Sequence, residues 1–313
     1  MHPTSTGAYV DGVARPVSPF RSAATIVREL RPKQWAKNGL IFFGLVYALD
    51  LDQPALVLRA LLAFTAFSCI ASAGYVFNDL RDINLDRLHP TKRFRPIAAG
   101  NISVWAAWVL ASVLFIAGFS LAATLGVSFF ACCLLYVALT MSYSVWWKHV
   151  VLLDAFALSA GFVLRAIAGA VAIEVPISPW LYMCTVLGSL IIAFGKRRAE
   201  IAMGSEAAEA HRPALEHYTL AFVDQLIVIT ATASIMAYSL YTFSAENAPK
   251  NHALMTTIPF ALYGVFRYLF LVQVRGLGGS PEDLLLQDRS LVIAVALFLL
   301  TSAAILYLSP RGA

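Results

Sequence analysis

The eighteen residues from Asn78 to Arg95 hold three aspartates, five Lys or Arg and a histidine. They follow directly on LLAFTAFSCIASAGYVF, which carries no charge at all. Asp79, Asp82 and Asp86 stand at i, i+3 and i+7. On a helix that spacing stacks three carboxylates on one side, with Asn78 one residue round from them. Three like charges on one stripe repel each other unless a cation joins them. Hard carboxylate oxygens suit Mg2+, which typically takes one or two carboxylates together with substrate phosphates. The other reading is an ordinary solvated helix end whose aspartates pair with Arg81 and Arg87. Against it stands the placement of the stripe at the end of an apolar segment, where polar groups tend to be functional.

Cationic clusters accompany the acids. The stretch 31-RPKQWAKN-38 sets Lys33 and Lys37 one turn apart, the loop after the aspartates carries Lys92 and Arg93, and 146-WWKH-149 carries Lys148. In 194-FGKRRAE-200 the cations Lys196, Arg197 and Arg198 are consecutive, with Glu200 behind them. Each cluster alone reads more readily as a collar touching anionic lipid than as a site. Together, beside one acidic stripe, they make a pocket for a strongly anionic ligand that carries Mg2+. Asp154 and Arg165 lie inside an apolar segment, eleven residues or about three helical turns apart. Charges there mark a cavity or a buried partner. The six histidines show no metal-ligand spacing, and the four cysteines sit in apolar segments without a CxxC pattern, as small packing residues do.

The elements that must position these residues are membrane helices. The chain of 313 residues is 59% hydrophobic and 13% charged, with a mean hydropathy of +0.73. A soluble chain carries nearly twice that share of charge. Apolar runs of the length a bilayer requires, about 20 residues, recur at 38–50, 55–77, 103–122, 125–147, 150–173, 179–195, 219–243, 254–273 and 290–308. The first is the shortest and is set off from the second only by Asp50, Asp52 and Pro54, so a broken or tilted helix is expected there. With the N-terminus inside, the inner segments hold eighteen Lys or Arg and the outer ones only Lys250 and Arg311, a strong positive-inside bias. The net charge of +5 is therefore a topology signal, not a nucleic-acid footprint. Residues 1–27 read as a flexible tail and 28–313 as a single transmembrane domain. The expected architecture is an all-α integral membrane protein of about nine transmembrane helices, with its polar cavity facing the cytoplasm. The sequence leaves a homo-oligomer open.

Asn78-Asp79-x-x-Asp82-x-x-x-Asp86 after the second span, followed by the basic loop His89-Pro90-Thr91-Lys92-Arg93-Phe94-Arg95-Pro96-Ile97, resembles the UbiA superfamily of intramembrane transferases. The likeness runs from about residue 28 onward. It implies that Asp79, Asp82 and Asp86 hold Mg2+, that the metal holds the diphosphate of a donor, and that a lateral opening admits a lipid. One departure is informative. Prenyl-transferring members carry a second aspartate motif after the sixth helix, where this chain has Gly195-Lys196-Arg197-Arg198-Ala199-Glu200. Cations in place of carboxylates suit a donor with a further phosphate. With the Arg31-Pro32-Lys33-Gln34-Trp35-x-Lys37-Asn38 stretch, this resembles the branch that moves 5-phosphoribose from phosphoribosyl diphosphate (PRPP) onto a polyprenyl (decaprenyl) phosphate, on the way to cell-wall arabinan. On that resemblance, Asn78 hydrogen-bonds the donor or orients a carboxylate. Lys33, Lys37, Arg81, Lys92, Arg93, Lys148, Lys196, Arg197 and Arg198 share the phosphates, and Glu200 takes a ribose hydroxyl or steers the arginines. Asp154 and Arg165 join them as substrate-binding candidates. A prenyl-diphosphate transferase acting on another acceptor is the rival enzyme. A transporter is the non-enzymatic reading, and the gathering of charge at one face speaks against it.

Overall fold

In the computed structural model, residues 23–48, 51–204, 213–245, 249, 251–279, 284 and 287–308 are described. The expected tail lies outside them except for residues 23–27. The described elements are helices, since a backbone within lipid must satisfy its own hydrogen bonds. Two short helices, α1 (Ala23–Leu30) and α2 (Ile41–Tyr47), precede α3 (Pro54–Arg81), and the short α4 (Ile83–Leu88) follows it. Then come α5 (Val104–Thr124), α6 (Val127–Val145), α7 (Leu153–Ala172), α8 (Pro179–Met203), α9 (Leu220–Ser244), α10 (Ile258–Gln273) and α11 (Arg289–Leu308). Among the described residues, eight helices are long and apolar enough to cross a membrane; one of these, Ala253–Gln273, is α10 with the turn before it.

Local chemistry starts these helices where they should start. Ser103 caps α5 by accepting from the Ala106 N–H at 3.2 Å, and Thr219 caps α9 through the Phe222 N–H at 3.2 Å. Pro54 and Pro179 open α3 and α8, where a missing N–H costs nothing. Small residues then let the helices approach closely, as packing without a hydrophobic drive requires. Ala60, Ala63 and Ala66 of α3 and Ala106 and Ala107 of α5 are wholly buried.

The first span is broken, as its short apolar run led one to expect. The chain runs as a 3-10 helix over Pro32–Leu40 and then the seven-residue α2. The segment still travels between the two ends of the bundle. At one end Arg31 meets Asp79 near the end of α3, and at the other the carbonyl of Val46 accepts from Tyr307 near the end of α11. A 3-10 helix rises about 2 Å per residue, so sixteen residues reach about 28 Å, close to a hydrocarbon core of about 30 Å. Stretching replaces length.

That segment is pinned by polar and backbone contacts. Asn38 donates to Ser68 at 3.0 Å and Trp35 to Ser72 at 3.0 Å. Arg165 donates from Nε to Asn38 at 2.8 Å, with its other nitrogens on the Gly161 carbonyl and the Tyr136 hydroxyl at 2.7 Å each. At Gly169 a Cβ would stand 2.0 Å from the carbonyl oxygen of Ile41. Gly169→Ala must therefore push α2 off α7, and the expected loss is at least about 2 kcal/mol, seen as a lower unfolding temperature in detergent. An unchanged temperature would mean that this contact is not formed.

Alternate ends of the long helices gather at one face. There Arg81 at the end of α3 donates to the Ser144 carbonyl in α6 at 3.1 Å. Arg198 of α8 reaches both Asp224 of α9 and the Val272 carbonyl of α10. Arg267 of α10 holds Asp288, just before α11, at 2.8 Å. At the opposite end Arg59 ties the close of α7 to α3, donating to the Ala172 carbonyl at 2.7 Å.

Candidate active site

Asp79 is the centre of the polar face. It lies in the last turn of α3, 3% exposed, and both its oxygens accept from Arg31 Nη2, at 2.6 and 2.5 Å. Arg95 Nη1 bridges Asp79 at 3.0 Å and Asp86 at 2.6 Å. The carboxylate stripe is bent where it was expected to be straight. The helix stops at Arg81, and Asp82, with φ −95° and ψ 11°, links it to α4. Asp86 is consequently turned inward at 2% exposure, whereas Asp82 stays half-exposed beside Arg81 at 3.4 Å. Asn78 accepts from the Ser144 hydroxyl at 3.3 Å.

Arg31 takes its position at a cost. Its φ of 54° and ψ of 59° are left-handed, a conformation worth about 1–3 kcal/mol of strain in a residue with a Cβ. That kink joins α1 to the 3-10 segment and carries the guanidinium to Asp79, over the Tyr75 ring at 5.1 Å. The same kink brings in Glu29, 1% exposed. Burial, and next the Asp79 carboxylate, push the Glu29 carboxyl up to about 8, while Arg31 and Arg95 pull it down.

The expected cations divide into two groups. Lys33, Arg81 and Arg93 are exposed, and Lys37, Lys92, Lys148 and Lys196 half-exposed. Lys37 donates to Gln34 at 2.5 Å, and Arg93 stacks on Phe94 at 4.8 Å. Arg197 is different, with 0% exposure. It lies 2.5 Å from Asp154 and also pairs with Glu200, and it donates to Tyr143 at 3.3 Å. The Tyr218 hydroxyl completes this knot, donating to Asp154 at 2.8 Å and accepting from the Leu152 N–H at 2.7 Å. Arg198 is held by Asp224 at 2.6 Å. Asp154 and Arg165, eleven residues apart on α7, thus belong to separate networks.

Among the described residues, no group of three His, Cys, Asp or Glu forms a ready metal shell. The donors nevertheless fit Mg2+ of the substrate-assisted kind, in which phosphates supply most of the ligands. Asp79 of α3 faces Glu29 of α1 and shares Arg95 with Asp86 of α4, and the Glu29 oxygens have no hydrogen-bond donor. The sequence reading missed Arg31 and Arg95 as site residues, although both stand in basic stretches it singled out. Glu29 and Tyr218 gave no signal, because only the kink at Arg31 and the Leu152 turn bring them in.

Comparison with solved structures gives the fold. A UbiA homolog from Archaeoglobus fulgidus bound to DMAPP and Mg2+ superposes with a TM-score of 0.68 at 18% identity, over 91% of this chain and 100% of that one. The two chains share one fold. In sequence, the UbiA prenyltransferase family matches residues 39–205, and the chain belongs to that family. The decaprenyl-phosphate phosphoribosyltransferase of Mycobacterium tuberculosis (strain CDC 1551 / Oshkosh) is 35% identical over 95% of this chain and 99% of its own length. The enzyme of that name from Corynebacterium glutamicum is 36% identical over 93% and 90%. The protein is a multi-pass membrane transferase of the UbiA type.

Proposed function

We propose that the chain transfers 5-phosphoribose from PRPP to a polyprenyl phosphate, releasing diphosphate, with the site at the cytoplasmic face of the cell's inner membrane. The observation that carries this reading is the similarity to phosphoribosyltransferases over nearly the full length of both chains. Asp79, Asp82 and Asp86 are the residues that would hold Mg2+, which would neutralise the departing diphosphate. The half-exposed guanidiniums of Arg31 and Arg95 are suited to grip phosphate oxygens in pairs. Lys33, Lys37, Lys92, Arg93, Lys148 and Lys196 are the further cations that would hold two mutually repelling anions together. Asn78 offers an amide to the donor.

The acceptor oxygen is already anionic, so no side chain need take its proton. The residues contribute position and charge, which supply most of the rate in such transfers. Arg197, Glu200 and Asp154 hold α7 and α8 in register behind the phosphate-binding cations.

Detergent-purified protein should transfer label from PRPP to polyprenyl phosphate, with Mg2+ restoring activity that EDTA removes. Prenyl diphosphate should not serve as donor to that acceptor. Transfer from prenyl diphosphate in place of PRPP would establish the rival prenyltransferase.

A further inference from the structure

We propose that Glu29 is a further acid of the metal site, forming with Asp79 a two-carboxylate seat for a divalent cation between α1 and α3. This rests on the reading that Asp79 holds the cation accompanying the diphosphate. Glu29 is 1% exposed, and neither carboxyl oxygen meets a hydrogen-bond donor; the polar group within hydrogen-bond reach is another acceptor, the Asp79 carboxylate. A buried polar group without a partner is costly and calls for an explanation.

The surroundings say what kind of partner is missing. The facing group is the Asp79 carboxylate, with Arg31 and Arg95 beyond it. Asp79 already accepts three hydrogen bonds from those arginines, out of about four lone-pair sites on a carboxylate. The unused oxygen capacity is therefore on Glu29. Charge points the same way. Glu29, Asp79 and Asp86 carry three negative charges when ionised, against two positive charges on Arg31 and Arg95. Asp79 and Asp86 are matched by those two guanidiniums, so an ionised Glu29 adds one negative charge that no described cation offsets. A small divalent cation satisfies orphaned hard oxygens and turns the repulsion between two facing carboxylates into attraction. Placing the second acid on α1 also couples metal binding to the kink at Arg31.

The test measures free Mn2+ by electron paramagnetic resonance over the full chain in detergent, for wild type, Glu29→Gln, Glu29→Ala and Asp79→Asn. Each Glu29 change should weaken Mn2+ binding by about tenfold or more, as should Asp79→Asn. Glu29→Ala removes the carboxyl outright and is read the same way, so an amide variant that fails to fold leaves the question answerable. If the Glu29 variants bind Mn2+ as tightly as wild type while Asp79→Asn does not, Glu29 merely shares a proton with Asp79 and the proposal is overturned. The Asp79 reading then stands. Unchanged binding in all variants overturns both.

Discussion

Asp79→Asn should lower phosphoribosyl transfer by at least about two orders of magnitude, the scale on which a removed charge-stabilising group acts, and leave a folded, monodisperse protein. The reason for both halves lies in where its partners sit. Asp79 touches both Arg31 and Arg95 and faces Glu29, so its charge organises the mouth. An asparagine keeps the shape and one acceptor oxygen but not the charge. Arg31 and Arg95 are 25% and 30% exposed, so water can take over their lost contacts. Stability should therefore change little. The measurements are label transfer from PRPP at saturating Mg2+, with circular dichroism and size exclusion on the same sample. Near-normal turnover would remove Asp79 from the chemistry.

Arg197→Met should behave in the opposite way, losing the fold before it loses the substrate. Arg197 is fully buried, and its removal leaves Asp154, 1% exposed, and Glu200, 17% exposed, without their cation. Removing one partner of such a pair costs about 3–5 kcal/mol, because a charge is left stranded where water cannot reach it. Tyr218 still donates to Asp154 but brings no positive charge. Lys196→Met, one residue away and half-exposed, should instead raise the KM for PRPP with the unfolding temperature nearly unchanged. If Arg197→Met kept wild-type thermal stability and lost only PRPP binding, its guanidinium would belong to the substrate and the buried knot would not exist.

The contrast between Asp79 and Arg197 shows where sequence reading stops. Both were legible as candidates, the first from carboxylate spacing at the end of an apolar run, the second from three consecutive cations. Successive residues on a helix point about 100° apart, so a run of cations cannot all face one ligand. Which one turns inward depends on the neighbouring helices. Here α7 supplies Asp154 and the turn before α9 supplies Tyr218, and Arg197 is captured. Arg198 goes to Asp224.

What the sequence by itself determined is whatever follows from local composition and spacing: the membrane class, the long apolar helices, the acidic stripe and the basic clusters around it. Hydropathy and charge asymmetry act along the chain, so they can be read along it. Tertiary structure alone decided the rest. It set the form of the broken first span, a stretched 3-10 segment running into a short helix, bent the stripe at Asp82 and brought Arg31, Arg95 and Glu29 onto Asp79. Each of those outcomes depends on contacts between residues far apart in the chain, where a strained turn or a captured charge is stabilised by a partner that no local pattern names.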